Sequence, residues 1–313
     1  MVKQVLVVMG ATGAQGGGMA RAALASGEFT VRAITRNPNG ERARALAAAG
    51  AEVVAADADD AGSLRQAFAG AQRVFGVTNY WEHFSPEREF VQAYNIAAAA
   101  KAAGVVHAVW STMEDAREVM ALDDPRMPTL MRSYKVPHMD AKGQADNAFI
   151  RMGVPTTFLR TSFYWDNLVS LGMGPRRGAD GRLAFVLPMA DKPLPGIVVE
   201  DIGKCALGVL RRGEALVGKT IGVAGEHLTG TQMAEALTTA LGEPVVYAYV
   251  PPEVYRTFGF PGADDLANMF QYKRDFNDAY CGGRDLAGAR ALNPELQTFA
   301  GWLAGNARHI PLE

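Results

Sequence analysis

The stretch Gly10-Ala11-Thr12-Gly13-Ala14-Gln15-Gly16 follows directly on the apolar run Val5–Met9 and leads into an alanine-containing segment, Gly17–Ala25. A strand, a glycine turn and a helix in that order form a cradle for phosphate. Glycine takes the tight turn, bare backbone lets a pyrophosphate approach, and the helix N-terminus offers free N–H groups and the positive end of its dipole. Gly10 is expected to make the turn, Gly13 the close approach, and Gly16 the contact between helix and strand. About twenty residues further on, NAD-binding chains place a carboxylate on the ribose 2′-hydroxyl. Here the run ends Ala33-Ile34-Thr35-Arg36-Asn37-Pro38, with no acid. Arg36 instead offers a planar fork of donors suited to the 2′-phosphate of NADP. The expected cofactor is therefore NADP(H). Asp57, after the next apolar run, reads equally as a hydrogen-bond partner for adenine or as a turn residue.

Holding these residues in place requires a parallel sheet. Strands are predicted at Gln4–Met9, Thr30–Thr35, Glu52–Ala55, Arg73–Thr78, Ala108–Ser111 and Thr156–Arg160. Helix-forming stretches lie between them, at Ala20–Ser26, Glu41–Ala49, Ser63–Ala69 and Glu87–Ala103. The alternation implies an α/β fold, a Rossmann-type doubly wound parallel sheet with right-handed crossovers. Residues 1–160 are expected to form the NADP-binding domain, with 196–224 returning to it through a helix at Val199–Arg211 and a strand at Thr220–Val223. Residues 161–195 and 225–313 would form a smaller lobe for substrate or partner. The first of these segments reads as loop-rich. The second reads as a helix from Thr231 to Leu241, a strand at Val245–Val250 and further helices. Asp123–Pro137, with three prolines, is expected to be a mobile loop.

Composition narrows the function classes. The 313 residues carry a net charge of −2, from 31 Lys+Arg against 33 Asp+Glu, and no long basic run. A direct nucleic-acid binder would show a basic stripe. The two cysteines, Cys205 and Cys281, give neither a disulfide framework nor zinc spacing, and no metal is expected. The apolar run Val5–Val8 is far too short to span a membrane, and no cleavable signal is visible. The cytoplasm is the expected compartment. There is no G-x-S-x-G elbow for a nucleophilic serine.

The glycine spacing, G-x-x-G-x-x-G, favours the short-chain dehydrogenases over the two-domain enzymes. With Gly10–Gly17 (GATGAQGG), Thr35–Pro38 (TRNP), Thr78–Glu82 (TNYWE), His138–Gly143 (HMDAKG) and Pro261–Phe270 (PGADDLANMF), the chain resembles the NmrA-like family of atypical short-chain dehydrogenases, and within it the redox-sensing HSCARG type. The resemblance implies NADP(H) over Gly10–Gly16, with Thr12, Ala14 and Gln15 among its contacts. It implies Arg36, flanked by Thr35 and Asn37, at the 2′-phosphate, and Thr78, Asn79 and Tyr80 beside the nicotinamide half. It further implies a second lobe that closes over the cofactor. Some family members sense the NADPH/NADP ratio and bind protein partners, some reduce quinones or other small molecules, and fungal members restrain a transcription factor.

Ordinary short-chain dehydrogenases use Tyr-x-x-x-Lys, the tyrosine as general acid and the lysine on the nicotinamide ribose. The same register here reads His138-Met139-Asp140-Ala141-Lys142, which puts both side chains on one helix face. Lys142 is the expected ribose ligand. His138 is read either as the replacement acid or as a structural histidine. Ser111, with Thr112, follows the fifth strand, where relatives of this fold place a serine that polarises a carbonyl; a strand-end hydroxyl capping a turn fits equally. Tyr134 is a weaker candidate for the same cleft. Aromatic residues gather at strand ends and loops, and Trp81, Phe163 and Tyr164 are the expected walls for a flat substrate. At least half of the wider set (Tyr80, Trp81, Phe84, Phe163, Tyr164, Trp165, Phe258, Phe260, Phe270 and Tyr272) should be core. Two functions follow: an NADPH-dependent reductase of a quinone or polycyclic aromatic carbonyl compound, or a redox sensor that binds a regulatory protein partner. A homodimer is left open.

Overall fold

The computed structural model describes residues 3–312. In order, the chain forms β1 (Gln4–Val8), α1 (Ala14–Ser26), β2 (Phe29–Thr35), α2 (Glu41–Ala48), β3 (Glu52–Ala55), α3 (Ala61–Ala67), β4 (Arg73–Gly76), α4 (Pro86–Ala102), β5 (His107–Thr112), α5 (Pro137–Met152) and β6 (Thr156–Arg160). It continues through β7 (Phe163–Tyr164), α6 (Asn167–Ser170), β8 (Arg176–Arg177), β9 (Leu183–Leu187), β10 (Leu194–Ile197), α7 (Val199–Arg212), β11 (Thr220–Gly222) and β12 (Glu226–Leu228). The last part comprises α8 (Gly230–Leu241), β13 (Val245–Tyr249), α9 (Pro252–Tyr255), α10 (Ala263–Asp275), α11 (Asn277–Gly282), α12 (Leu286–Leu292) and α13 (Phe299–Asn306). Two compact units result. One holds the chain up to Asp115 with His138–Thr161 and Val199–Ile221; the other holds Ala116–Pro137, Ser162–Val198 and the chain from Gly222 onward.

The first unit is built on a seven-stranded sheet ordered β11-β6-β5-β4-β1-β2-β3, in which β1 to β6 pair parallel. Parallel strands are covered on both faces, so they read as unbroken apolar runs. Leu6, Val7 and Val8 of β1 are fully buried, as is every residue of β5. The expected β1 to β6 are all present, within two residues at each end. Strand order reverses at β1, whose neighbours β2 and β4 lie on opposite sides, and the C-terminal ends of the strands at such a point are where open α/β folds hold their ligands. Packed under the sheet, Trp110 meets Phe149 at 4.7 Å between ring centroids, within a cluster that includes Leu64, Phe68 and Ile96. Helices α1 and α7 touch backbone to backbone: a Cβ on Gly203 would run into Gly18 and Met19.

The second unit holds two three-stranded sheets, β12-β10-β7 and β13-β9-β8. Residues 161–195 are mostly loop, as expected, but they also carry the short strands β7, β8 and β9 and the start of β10. These strands are two to five residues long, too short for alternation to stand out.

The reading of Asp123–Pro137 as a mobile loop within the first domain is corrected. It belongs to the second unit and is tied down by α10. Asn268 Nδ2 donates to the carbonyls of Pro128 (3.0 Å) and Lys135 (2.5 Å), and Gln271 Nε2 donates to the carbonyl of Arg126 (2.6 Å). The Arg256 guanidinium donates to the oxygens of both amides, which turns their NH2 groups toward the loop. Lys135 is fully buried and donates to the carbonyls of Asp124 (3.0 Å) and Met127 (2.7 Å). Backbone groups in an irregular segment must find partners, and here side chains supply them.

Candidate nucleotide site

The glycine loop closes β1 onto α1. Gly10 sits at φ +58, in the left-handed region where glycine carries no steric penalty, and beside Val77. Gly13 N donates to Gly10 O at 2.8 Å, and Ala11 N donates to Ile34 O at 3.1 Å. A Cβ on Gly16 would strike the carbonyl oxygens of Met9 and Gly10, so the helix packs on the strand with nothing between them. α1 opens at Ala14, three residues before the expected Gly17. Its N-cap is Gly13, no side chain caps it, and its first turn carries no acid. The positive end of the helix thus meets no neutralising carboxylate in its own first turn. Such a cradle suits an anionic phosphate.

Around the end of β2, Thr12 Oγ1 and Thr35 Oγ1 lie 3.2 Å apart, and Thr35 Oγ1 accepts from Asn37 N. Arg42, in the first turn of α2, donates to Thr12 O at 3.1 Å and brings a second cation to the loop. Sequence reasoning missed it because no motif marks the position. Arg36 is exposed and forms a two-armed pair with Glu82, Nη1 to Oε2 at 2.8 Å and Nη2 to Oε1 at 3.0 Å. Asn79 Nδ2 also donates to Glu82 Oε1, at 3.1 Å. Asp57 behaves as a turn residue, its Oδ1 accepting from Asp59 N at 3.0 Å.

Deeper in the unit, Lys142 Nζ donates to Thr78 O (3.0 Å), Thr78 Oγ1 (2.9 Å) and Glu89 Oε1 (2.6 Å). Thr78 Oγ1 donates in turn to Glu89 Oε1, and His83 Nε2 lies 3.5 Å from Glu89 Oε2. His83 Nδ1 accepts from Ser85 N, which leaves the ring proton on Nε2, facing the carboxylate. Burial alone would raise the Glu89 carboxyl's pKa. The Lys142 charge, the facing His83 ring, and the bonds from Lys142 and Thr78 outweigh it and hold the group at about 2. Glu89 and His83 were not anticipated, since both look like surface residues flanking a helix start.

Ser111 Oγ donates to Gln15 Oε1 at 2.7 Å, joining the end of β5 to the glycine loop, and Thr112 Oγ1 donates to Lys142 O at 3.2 Å. His138 is buried, with its ring centroid 4.8 Å from Trp81 and 6.1 Å from Tyr80. Tyr80 is core, whereas Trp81 is 37% exposed. Phe163, Tyr164 and Tyr134 belong to the second unit. There Phe163 is buried 6.3 Å from Phe270, and Arg117 lies over the Tyr134 ring. Of the ten aromatic residues singled out, Tyr80, Phe163, Trp165, Phe270 and Tyr272 are buried. Among the described residues no group of His, Cys, Asp and Glu is poised for a metal, and no helix is long and apolar enough to cross a membrane.

A profile of the NmrA-like family matches residues 2–303. The chain belongs to the NmrA-like family. This NmrA-like chain is 27% identical over 295 residues to the oxidoreductase FrzB of Cladobotryum sp, covering 88% of its own length and 85% of FrzB. Its fold is similar to that of NmrA, a negative transcriptional regulator solved in complex with NADP, at a TM-score of 0.78 and 23% identity over 97% of this chain and 95% of that one. It is also similar to Citrobacter sp. triphenylmethane reductase complexed with NADP(H), at a TM-score of 0.75 and 23% identity over 98% and 100% of the two chains.

Proposed function

We propose that this NmrA-like chain is an NADPH-dependent reductase of quinones or polycyclic aromatic carbonyl compounds. The residues present fit the cofactor. The uncapped N-terminus of α1 and the bare Gly10–Gly16 backbone suit its pyrophosphate, and Arg36 and Arg42 suit the additional phosphate. NADP(H) bound to NmrA and to triphenylmethane reductase, two chains of this fold, supports the same choice. When bound, NADPH supplies a hydride.

The observation that carries the reading is the packing of His138 against Trp81. Trp81 follows β4, next to the strand that feeds the glycine loop, and remains partly exposed, an aromatic surface suited to packing against a flat ring. His138, packed against it, is an imidazole, whose ring nitrogens can carry or release a proton. That is enough for a quinone, whose reduced form is a phenolate-like anion with a conjugate-acid pKa of about 10. A simple ketone yields an alkoxide, roughly as basic as hydroxide given a pKa of 15.7 for water, and here the customary tyrosine is absent. Cys205 and Cys281, both free thiols, fit a reducing compartment such as the cytoplasm.

One observation favours a second reading, an NADPH/NADP sensor of the HSCARG type that binds a regulatory protein without catalysis. Lys142, the surviving half of the Tyr-x-x-x-Lys pair, directs its donors to Thr78 and Glu89. Steady-state NADPH oxidation against a quinone panel and an aliphatic ketone panel tests the two. Turnover of quinones alone is expected. Equal turnover of aliphatic ketones overturns the proton argument, and no turnover of either panel, with tight NADPH binding by calorimetry, selects the sensor.

A further inference from the structure

The end of β2 carries no carboxylate, but the fold delivers one from another strand. Glu82 lies just beyond β4 and meets Arg36 through both carboxylate oxygens, at 2.8 and 3.0 Å, while Asn79 holds Oε1 from behind at 3.1 Å. We propose that Glu82 sets the cofactor selectivity of this chain, competing with the 2′-phosphate of NADP(H) for Arg36 and supplying the carboxylate that the 2′-hydroxyl of NAD(H) requires. The inference rests on the reading that a dinucleotide lies over Gly10–Gly16.

The chemistry has two sides. Arg36 presents its fork to Glu82, so an incoming phosphate must take those donors from a carboxylate that already uses them. It must also sit near that carboxylate's charge while bringing close to two negative charges of its own. Both effects weaken NADP(H). The pair is nonetheless exposed on both partners, 58% and 45%, and exposed pairs are weak, so a phosphate displaces it at modest cost. A 2′-hydroxyl has no quarrel with the pair. It donates to a carboxylate whose charge Arg36 balances, which is the role the β2 acid fills in NAD-binding chains. Reading Arg36 alone gives a strongly NADP-selective protein; reading Arg36 with Glu82 gives one that accepts both.

Titration calorimetry with NADPH and NADH, on the wild type and on Glu82→Gln, tests this. The wild type is expected to bind both, with affinities within about tenfold of each other. Loss of an exposed ion pair of up to about 1 kcal/mol corresponds to roughly fivefold. Glu82→Gln should therefore bind NADPH about fivefold tighter and NADH more weakly. Glu82→Asp, which keeps the charge, should lie between the two. Because residue 82 is on the surface, circular dichroism should show an unchanged fold. An NADPH-to-NADH ratio unaltered in Glu82→Gln, or weaker NADPH binding there, overturns the inference and leaves the site in place. Failure of the wild type to bind either nucleotide overturns the reading on which it rests.

Discussion

Lys142 and Glu89, 53 positions apart in the chain, meet at 2.6 Å with the carboxylate fully buried. Thr78 takes the remaining ammonium donors through its carbonyl and its hydroxyl. The lysine that ordinary short-chain dehydrogenases turn toward the ribose is here the centre of a buried polar cluster that fixes the end of β4 to α4 and α5.

Removing one member of such a pair strands the other. Lys142→Met should cost about 3–5 kcal/mol of stability, because it leaves the Glu89 charge buried and uncompensated. Adding Glu89→Gln to that variant should recover part of the loss. Urea unfolding of the two single variants and the double variant gives the coupling directly. A loss below about 1 kcal/mol for Lys142→Met would show that the cluster is not coupled as described.

His107 gives the stability a pH dependence. Its Nε2 shares a hydrogen bond of 2.8 Å with Thr157 Oγ1. Burial, helped by the Arg73 charge, holds its pKa down to about 4 against 6.5 unfolded. The folded state therefore prefers the neutral ring. This contribution is complete above pH 6.5 and is lost as the pH falls through that value toward 4, where the slope ends. The change across the window is roughly 3 kcal/mol for a shift of this size, at about 1.4 kcal/mol per pH unit. Stability curves from pH 7 to 4 for wild type and His107→Asn should diverge at the neutral end and converge toward pH 4. Parallel curves would contradict the assignment.

Gly203→Ala should destabilise the first unit. The added methyl meets the backbone of Gly18 and Met19, which cannot swing aside as a side chain would. Overpacking of this kind costs typically 1–3 kcal/mol. Gly282→Ala makes the control, since a Cβ there meets nothing within 4 Å. Its expected change is neutral to slightly stabilising. Thermal melts of the two variants should fall on opposite sides of the wild type or nearly so, and equal losses would refute the close approach of α1 and α7.

Asn268→Leu should release Ala116–Pro137. The variant leaves the carbonyls of Pro128 and Lys135 without the amide that serves them. Two hydrogen bonds of about 1 kcal/mol each correspond to a segment open roughly ten- to thirtyfold more often. Trypsin should then cut after Arg126 or Arg132 correspondingly faster, with the rest of the molecule still protected. An unchanged cleavage rate would mean that α10 does not hold the loop.

What the amino-acid order revealed follows from how local each signal is. The Gly10–Gly16 loop and the strands β1 to β6 are consecutive residues with one pattern each, and they were readable. Arg36 was readable as a cation just after β2, but its partner was not. Glu82 lies 46 positions away and arrives only because β4 and β2 both flank β1. Lys142 was placed on its helix correctly, while the partners that hold it depended on α4. The prolines of Asp123–Pro137 suggested freedom. The side chains that constrain the segment stand more than a hundred residues downstream, in a helix whose Asn268 and Gln271 look like ordinary polar positions.

That distance has a consequence for synthesis. Lys135 and the carbonyls around it are made long before Asn268 and Gln271 exist, and a ribosome adding about 5–20 residues per second needs on the order of ten seconds to cover the interval. Throughout that time the nascent Ala116–Pro137 segment carries Met127 and Val136, both buried in the finished molecule, before the α10 donors that hold the segment have been made. The first unit, whose last segment ends at Ile221, completes its chain earlier. Assembly is therefore expected to run in that order. A chain stopped shortly before Asn268 would lack every donor by which α10 holds Ala116–Pro137, and that segment would be the first to meet a protease.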